Sequence, residues 1–402
     1  MPTRYIPTGS FLPFDMNTPE CDYILREKAL LTGVNVTAIT EGAWGSTLTI
    51  LGDIKLTGVS TGLELAGTGT EVVIGKNAVI SAGVGAVKLS GANQSLDNAG
   101  FLKSILSTVE ATGAGFDISN TGRIHSVSEA GVSLTGEGAF TNNGRIEGSR
   151  GIEWLDAEAT LFLGRNSAID TAYAGVVRSN LEGQSTTVNQ GSINAEYAFL
   201  GYLGDDTLIN KGKIAGLIQF DAGDDTFDNT RGKFSGRVEG GEGDDTYIIN
   251  AAGTKVIEAI GEGNDTMRSS ASYALNRAGE VETLILTGSK DLRASGDDSA
   301  NTITGNKGDN RLTGFGGDDI LTGAAGKDIF VMRTAFDADT IADFRNGTDR
   351  IDVTQWAGID DLADILANVT QQETGVLITV GSDSLLIADI LIQDLDKKDF
   401  IF

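Results

Sequence analysis

NTGRIHSVSEAGVSLTGEGAFTNNGRI, residues 120–146, displays a period: Asn-Thr-Gly-Arg-Ile at 120–124 returns as Asn-Asn-Gly-Arg-Ile at 142–146. Working outward, the pattern recurs as NAGFL at 98–102, NQGSI at 189–193, NKGKI at 210–214 and NTRGKF at 229–234. Degenerate copies stand at 51–54 (LGDI), 76–80 (KNAVI) and 165–169 (RNSAI). The glycine or its substitute falls at 52, 78, 100, 122, 144, 167, 191, 212 and 232, in steps of 20 to 26. Between copies lie short alternating runs such as AVKL at 86–89 and GVSL at 131–134, which predict strands. Gly and Asn tolerate the left-handed conformations that tight corners need. A unit this short cannot bury its own apolar face, so units must stack. The expected fold is all-β: a parallel β-helix of about 20–24 residues per coil over residues 45–265. Ile54, Leu102, Ile124, Ile146, Ile169, Ile193 and Ile214 should form one interior stack. Glycine density and period-2 alternation oppose a helical solenoid.

Composition narrows the function. The 402 residues include 54 Gly, 4 Pro, 1 Cys and 1 His, with 56 acidic against 30 basic side chains, net charge -26. One Cys excludes a disulfide framework or a cysteine zinc site, and one His excludes multi-histidine centres. The charge argues against nucleic acid and anionic membrane as partners. No apolar run is long enough to span a bilayer, and the first residues do not read as a secretory signal. All four prolines lie within the first 19 residues, so residues 1–44 read as an irregular arm or cap. Residues 1–200 carry net charge -8 and residues 201–402 net -18, an imbalance that points to bound cations in the second half.

That half holds a sharper motif. Four nonapeptides run without a gap: GDDSANTIT, GNKGDNRLT, GFGGDDILT and GAAGKDIFV, residues 296–331. Further copies begin at 201 (GYLGDDTLI), 220 (FDAGDDTFD) and 240 (GGEGDDTYI), with GEGNDTM at 261–267. Ca²⁺ takes six to eight oxygen ligands. A glycine turn can aim carbonyls inward, and the sixth-position Asp adds a carboxylate. The candidate ligands are Gly204 and Asp206, Gly223 and Asp225, Gly243 and Asp245, Gly263 and Asp265, Gly317 and Asp319, and Gly326 and Asp328. Asp206, Asp225, Asp245 and Asp265 should share one column, with Leu208, Phe227, Tyr247, Met267, Leu312, Leu321 and Phe330 pointing into the core. Asn301 and Asn310 replace Asp and predict weak or empty sites.

These repeats resemble those of RTX (hemolysin-type) proteins, which bind Ca²⁺ in parallel β-rolls. The linker at 240–275 and the ending, DTIADFRNGTDRIDV through LIADILIQDLDKKDFIF, also resemble type I secretion substrates, and Asp399–Phe402 resembles their uncleaved signal. The resemblance implies a secreted protein, a Ca²⁺ cofactor and the type I secretion machinery as partner. The 22-residue repeat, over residues 45–235, resembles the β-helical passengers of proteobacterial surface proteins. Five segments follow: an arm or cap (1–44), a parallel β-helix (45–200), calcium-loaded coils (201–295), a nonapeptide β-roll (296–331) and a C-terminal secretion region (332–402).

The catalytic motifs of zinc proteases, GxSxG hydrolases and P-loop enzymes are missing. One cluster could carry chemistry. Lys103, His125, Glu147 and Asp170 follow the apolar residue of successive coils; Phe101, Arg123 and Arg145 precede it. Stacking places them on one outward face, where they could hold an acidic polysaccharide and abstract a proton. Glu153 could complete a carboxylate pair, with Trp154 as a sugar platform or a core residue. Alternating charges on neighbouring strands also occur as plain cross-strand pairs. Two functions are therefore expected: a calcium-stabilised surface, matrix or adhesion protein, or a secreted polysaccharide-degrading glycanase or lyase.

Overall fold

A computed structural model describes residues 2–10, 13–41, 44–155, 159–178, 183–275 and 280–402. The chain forms two compact units, Met1–Asp225 with Arg231–Arg237, and Thr226–Thr230 with Val238–Phe402.

The first unit is a parallel β-solenoid. In one coil the strands Ser95–Asn98, Phe101–Ser104 and Val109–Ala111 follow one another. They pair in parallel with Phe116–Asn120 and Arg123–Leu134 of the next coil. Arg123–Leu134 spans two faces because two short strands fuse, with the register shifting between Ser126 and Ala130. Arg145–Trp154, Ala168–Val177 and Ser192–Leu203 are built the same way. The expected interior stack is present: Ile54, Ile80, Leu102, Ile124, Ile146, Ile169, Ile193 and Ile214 are register partners from coil to coil. None is more than 2 % exposed.

The Asn-x-Gly turn explains why the repeat keeps these two residue types. Asn98 Nδ2 donates to Asn120 Oδ1 (2.7 Å), and Asn120 Nδ2 donates to Asn142 Oδ1 (2.7 Å). Asn142 Oδ1 also accepts from the Gly144 amide (3.2 Å). A buried amide ladder thus satisfies the corner's polar groups, which burial would otherwise penalise. The glycine is set by closeness: a Cβ on Gly122 would lie 2.1 Å from the Gly100 carbonyl oxygen.

Residues 3–41, expected as an irregular arm or cap, contribute strands instead. Thr3–Tyr5 pairs with Asp22–Leu25, and Phe14–Met16 with Thr37–Glu41, all in parallel. The prolines sit outside these strands, where no ladder bond is lost.

In the second unit, Thr246–Ile249, Thr266–Ser269, Thr283–Leu286, Thr302–Thr304, Ile320–Thr322 and Ala338–Ile341 form one parallel series. Arg293–Ser295, Arg311–Thr313, Ile329–Arg333 and Arg350–Gln355 form another. Within the nonapeptides Thr302 faces Ile320 and Arg311 faces Ile329, so register partners are 18 residues apart. Each nonapeptide makes one turn and one strand, and alternate repeats lie on opposite sides, which is a β-roll. Leu208 in the first unit, and Phe227, Tyr247, Met267, Leu312, Leu321 and Phe330 in the second, are all buried as expected. Beyond the roll, an antiparallel hairpin joins Val369–Gln372, Gly375–Val380 and Asp383–Ala388, after the helix Leu362–Ala367 capped by Asp361.

Candidate functional site

Stacking aligns the charged column as the spacing predicts. Lys103 faces His125, His125 faces Glu147, and Glu147 faces Asp170. The cations are spoken for. Both Arg123 and Arg145 pair with Glu147, and Arg145 Nη2 reaches Asp170 at 3.0 Å. Arg123 also stacks over Phe101 at 4.8 Å. Burial alone would raise the Glu147 carboxyl, but hydrogen bonds and charge from the two arginines hold it below its ordinary value. His125 is half-buried, and its Nδ1 has no partner among the described residues. Burial, then the Lys103 charge, pulls its pKa below the ordinary value, with Glu147 pulling weakly the other way. The column is an ion-pair lattice around a neutral imidazole. An imidazole proton titration should therefore fall below the usual histidine range. Lys103→Ala should raise it and Glu147→Gln should lower it further; the opposite signs would show that the column does not set the field at His125.

Glu153 does not join this group. It follows the register shift between Gly148 and Arg150, pairs with Arg150, and feels Arg150 and Glu129. Burial raises its pKa. Trp154 is core: fully buried, packed on Phe116 at 5.8 Å and under Arg178 at 5.7 Å.

The second candidate site is built by glycine turns. Gly204, Gly223, Gly243, Gly317 and Gly326 have positive φ, between +87° and +133°, which side chains other than glycine's adopt poorly. Turns also stack closely: a Cβ on Gly263 would lie 2.0 Å from the Gly243 carbonyl oxygen, and one on Gly326 2.2 Å from that of Gly308. The glycine carbonyls of one turn therefore aim at the next.

The sixth-position side chains form a chain of hydrogen bonds from coil to coil. In the first unit the Asp206 amide donates to Asp225 (2.5 Å). In the second, Asp245 donates to Asp265 (2.9 Å), and Asp265 donates to Glu282 (2.7 Å). Across the nonapeptides two such series run, Asn301 to Asp319 to Asp339 (2.7 and 3.1 Å) and Asn310 to Asp328 to Asp349 (2.8 and 3.0 Å). Each carboxylate thereby uses one oxygen. The second oxygens of Asp206, Asp265 and Asp319 are buried without a donor among the described residues. The Asp319 Oδ2 fills the space that a Cβ on Gly314 would take, 1.8 Å away, which explains the first-position glycine.

Buried carboxylates without donors need protons or cations. Burial pushes Asp206 and Asp265 up to about 6, Asp319 to about 7 and Asp339 to about 8. Asp245, Glu258 and Asp265 bring oxygens within 4.8 Å of one another, all buried. Burial pushes Glu258 up to about 8, even though the Tyr247 hydroxyl donates to it. Such a donor set, hard oxygens and clustered negative charge, fits Ca²⁺.

Two of these groups already hold a cation from the chain. Arg345 Nη2 donates to the Gly326 carbonyl (2.6 Å), Asp349 (3.1 Å) and Asp328 (3.3 Å). Arg178, fully buried, lies 3.8 Å from Asp206, and Ser185 bonds to both. The sequence reading missed Glu258, Glu282, Asp339, Asp349, Arg178 and Arg345. Asp339-Thr-Ile and Asp349-Arg-Ile repeat the Asp-x-apolar end of the nonapeptide and mark two of them.

Residues 295–330 match the family model of the RTX calcium-binding nonapeptide repeat, in four copies. No curated protein matches the chain. The chain carries calcium-binding RTX repeats within a parallel β-solenoid, and both fit an RTX-type protein. Among the described residues no helix is long and apolar enough to cross a membrane.

Proposed function

We propose that this is a secreted RTX-type protein, exported by the type I machinery, whose calcium-loaded solenoid acts at the cell surface or in the extracellular matrix through adhesion or polysaccharide association. The observation that carries the reading is the series of buried carboxylates whose second oxygens have no donor. Cytosolic calcium is too dilute for sites of the extracellular kind, which bind at roughly 10⁻⁴–10⁻³ M. The chain would therefore load and fold outside the cell.

Gly204, Asp206, Gly223 and Asp225 would hold the ion in the first unit, and Gly243, Asp245, Gly263, Asp265, Gly317 and Asp319 in the second. Glu258 adds an oxygen beside Asp245 and Asp265. Gly326 and Asp328 are weaker candidates because Arg345 already supplies positive charge there. A neutral imidazole beside a carboxylate tied to two arginines supports a structural role for the His125 column, not an acid–base pair. Two measurements test the proposal. The full chain should reach the medium of a host given a type I exporter, and not of the same host without one. Labelled protein should then be retained on the producing cells or their matrix with calcium, and released by EGTA. Retention indifferent to EGTA, or export independent of the exporter, would overturn it.

A further inference from the structure

In a chain of net charge -26, the first unit has one concentration of unpaired positive charge. A cleft of about 400 Å³ is lined by Arg165, Lys211, Lys213, Arg231 and Lys233, together with Ser167, Gln190 and Ser192. All five cations are exposed, and among the described residues none makes an ion pair. The contrast with Arg123 and Arg145, both tied to carboxylates, is direct.

The cleft is a product of the Asn-x-Gly turn. Lys211 and Arg231 precede the turn glycine, and Lys213 and Lys233 follow it. Successive coils lie ~4.8 Å apart, so two short rows of cations run along the solenoid, over about 14 Å from the Ser167 turn to the Gly232 turn. The rows stand on a rigid floor. Asn189 Nδ2 donates to Asn210 Oδ1 (2.9 Å) and to the Lys213 carbonyl (3.2 Å), and Asn210 Nδ2 donates to the Lys233 carbonyl (3.2 Å). The Gly191 and Gly212 amides close the same network at 3.0 and 3.1 Å. The lysine backbones are thus held at fixed spacing by buried amides, which lowers the ordering cost of binding a regular polymer.

We infer that this cleft binds a linear polysaccharide bearing carboxylates, the cations taking the acid groups and Ser167, Gln190 and Ser192 the hydroxyls. The inference rests on the extracellular reading above and adds the ligand class and its place. Two observations favour a carbohydrate over other polyanions. No aromatic side chain lines the cleft, so it offers no stacking platform for bases. The overall negative charge repels a long phosphate backbone everywhere outside these coils.

The test uses the full chain loaded with calcium and an oligogalacturonate as probe, with affinity followed by calorimetry. Lys211→Glu/Lys213→Glu/Lys233→Glu should weaken binding at least tenfold at 0.1 M salt, with its melting temperature near wild type because these side chains are exposed. Lys255→Glu, exposed in the second unit, should bind within twofold of wild type. Unchanged affinity of the triple variant would overturn the inference, because calcium bridging between polymer and protein would then explain the binding. Tighter binding of an oligonucleotide, or inorganic phosphate displacing the oligosaccharide at equal concentration, would also overturn it. Calcium-dependent retention on cells that survives in the triple variant would leave the matrix role standing and remove only this site.

Discussion

Replacing millimolar calcium with EGTA at pH 8 should lower the melting temperature of the full chain by about 10 °C or more. An ion at a hundredfold its dissociation constant contributes about 2.7 kcal/mol per site, and 1 kcal/mol moves Tm by about 2–4 °C in a unit of this size. Two occupied sites suffice. The pH dependence has a sign that distinguishes coordination from simple charge neutralisation. Folded-state pKa values of about 6 at Asp265, 7 at Asp319 and 8 at Asp339 lie above the ordinary carboxylate range. Without calcium the folded form therefore binds more protons than the unfolded chain. Its stability is full near pH 4 and is lost as pH rises through 6 to 8. In EGTA, acidification from pH 8 to 5.5 should raise Tm; with calcium it should lower the affinity, because protons compete for the same oxygens. Asp319→Asn keeps an acceptor for the Asn301 amide but deletes the charge. It should be at least as stable as wild type in EGTA and less stable in calcium. A Tm unmoved by EGTA at pH 8 would refute the coupling.

Asn120→Ala should destabilise the first unit by about 2–4 kcal/mol, read as a lower urea midpoint at constant slope. The substitution orphans Asn98 Nδ2, whose acceptor is Asn120 Oδ1, in a fully buried setting. It also removes the donor to Asn142 Oδ1, which keeps the Gly144 amide. One buried donor without a partner costs about 1–3 kcal/mol, and the lost second bond and the small void add the rest. Asn194→Ala changes an exposed asparagine outside the ladder and should stay within about 0.5 kcal/mol. Equal shifts for the two variants would mean the ladder is incidental to stability.

The coil period and the interior isoleucine stack were legible because both follow from backbone geometry. Strand alternation buries every second residue, and the turn demands Asn and Gly at fixed places. The Lys103–Asp170 column was legible for the same reason. Its chemistry was not, because which arginine pairs with which carboxylate depends on side-chain reach between coils. The fusion of strands at 126–130 carried no turn residue to forbid it, so Glu153 and Trp154 were placed on the wrong footing as site candidates. Glu258 sits in KVIEAI, where an acidic residue between apolar ones reads as a solvent-facing strand position; burial beside Asp245 and Asp265 is a tertiary fact. Arg178 and Arg345 lie 28 and 17 residues from the aspartates they meet, off the repeat's period. No spacing rule reaches them.

Arg345 makes the end of the roll different in kind from the coils before it. A cation carried on the chain has an effective local concentration that dilution cannot lower. The coil that holds Gly326, Asp328 and Asp349 keeps its positive charge whatever the surroundings contain, whereas the coil of Asp319 and Asp339 depends on an ion that can leave. Scarcity of calcium therefore acts unevenly along the roll: local opening free energy is lowest where the carboxylates have no guanidinium and highest beside Arg345. A roll in calcium-poor solution is frayed at one place and clasped at another, and reloading has an ordered coil against which to rebuild.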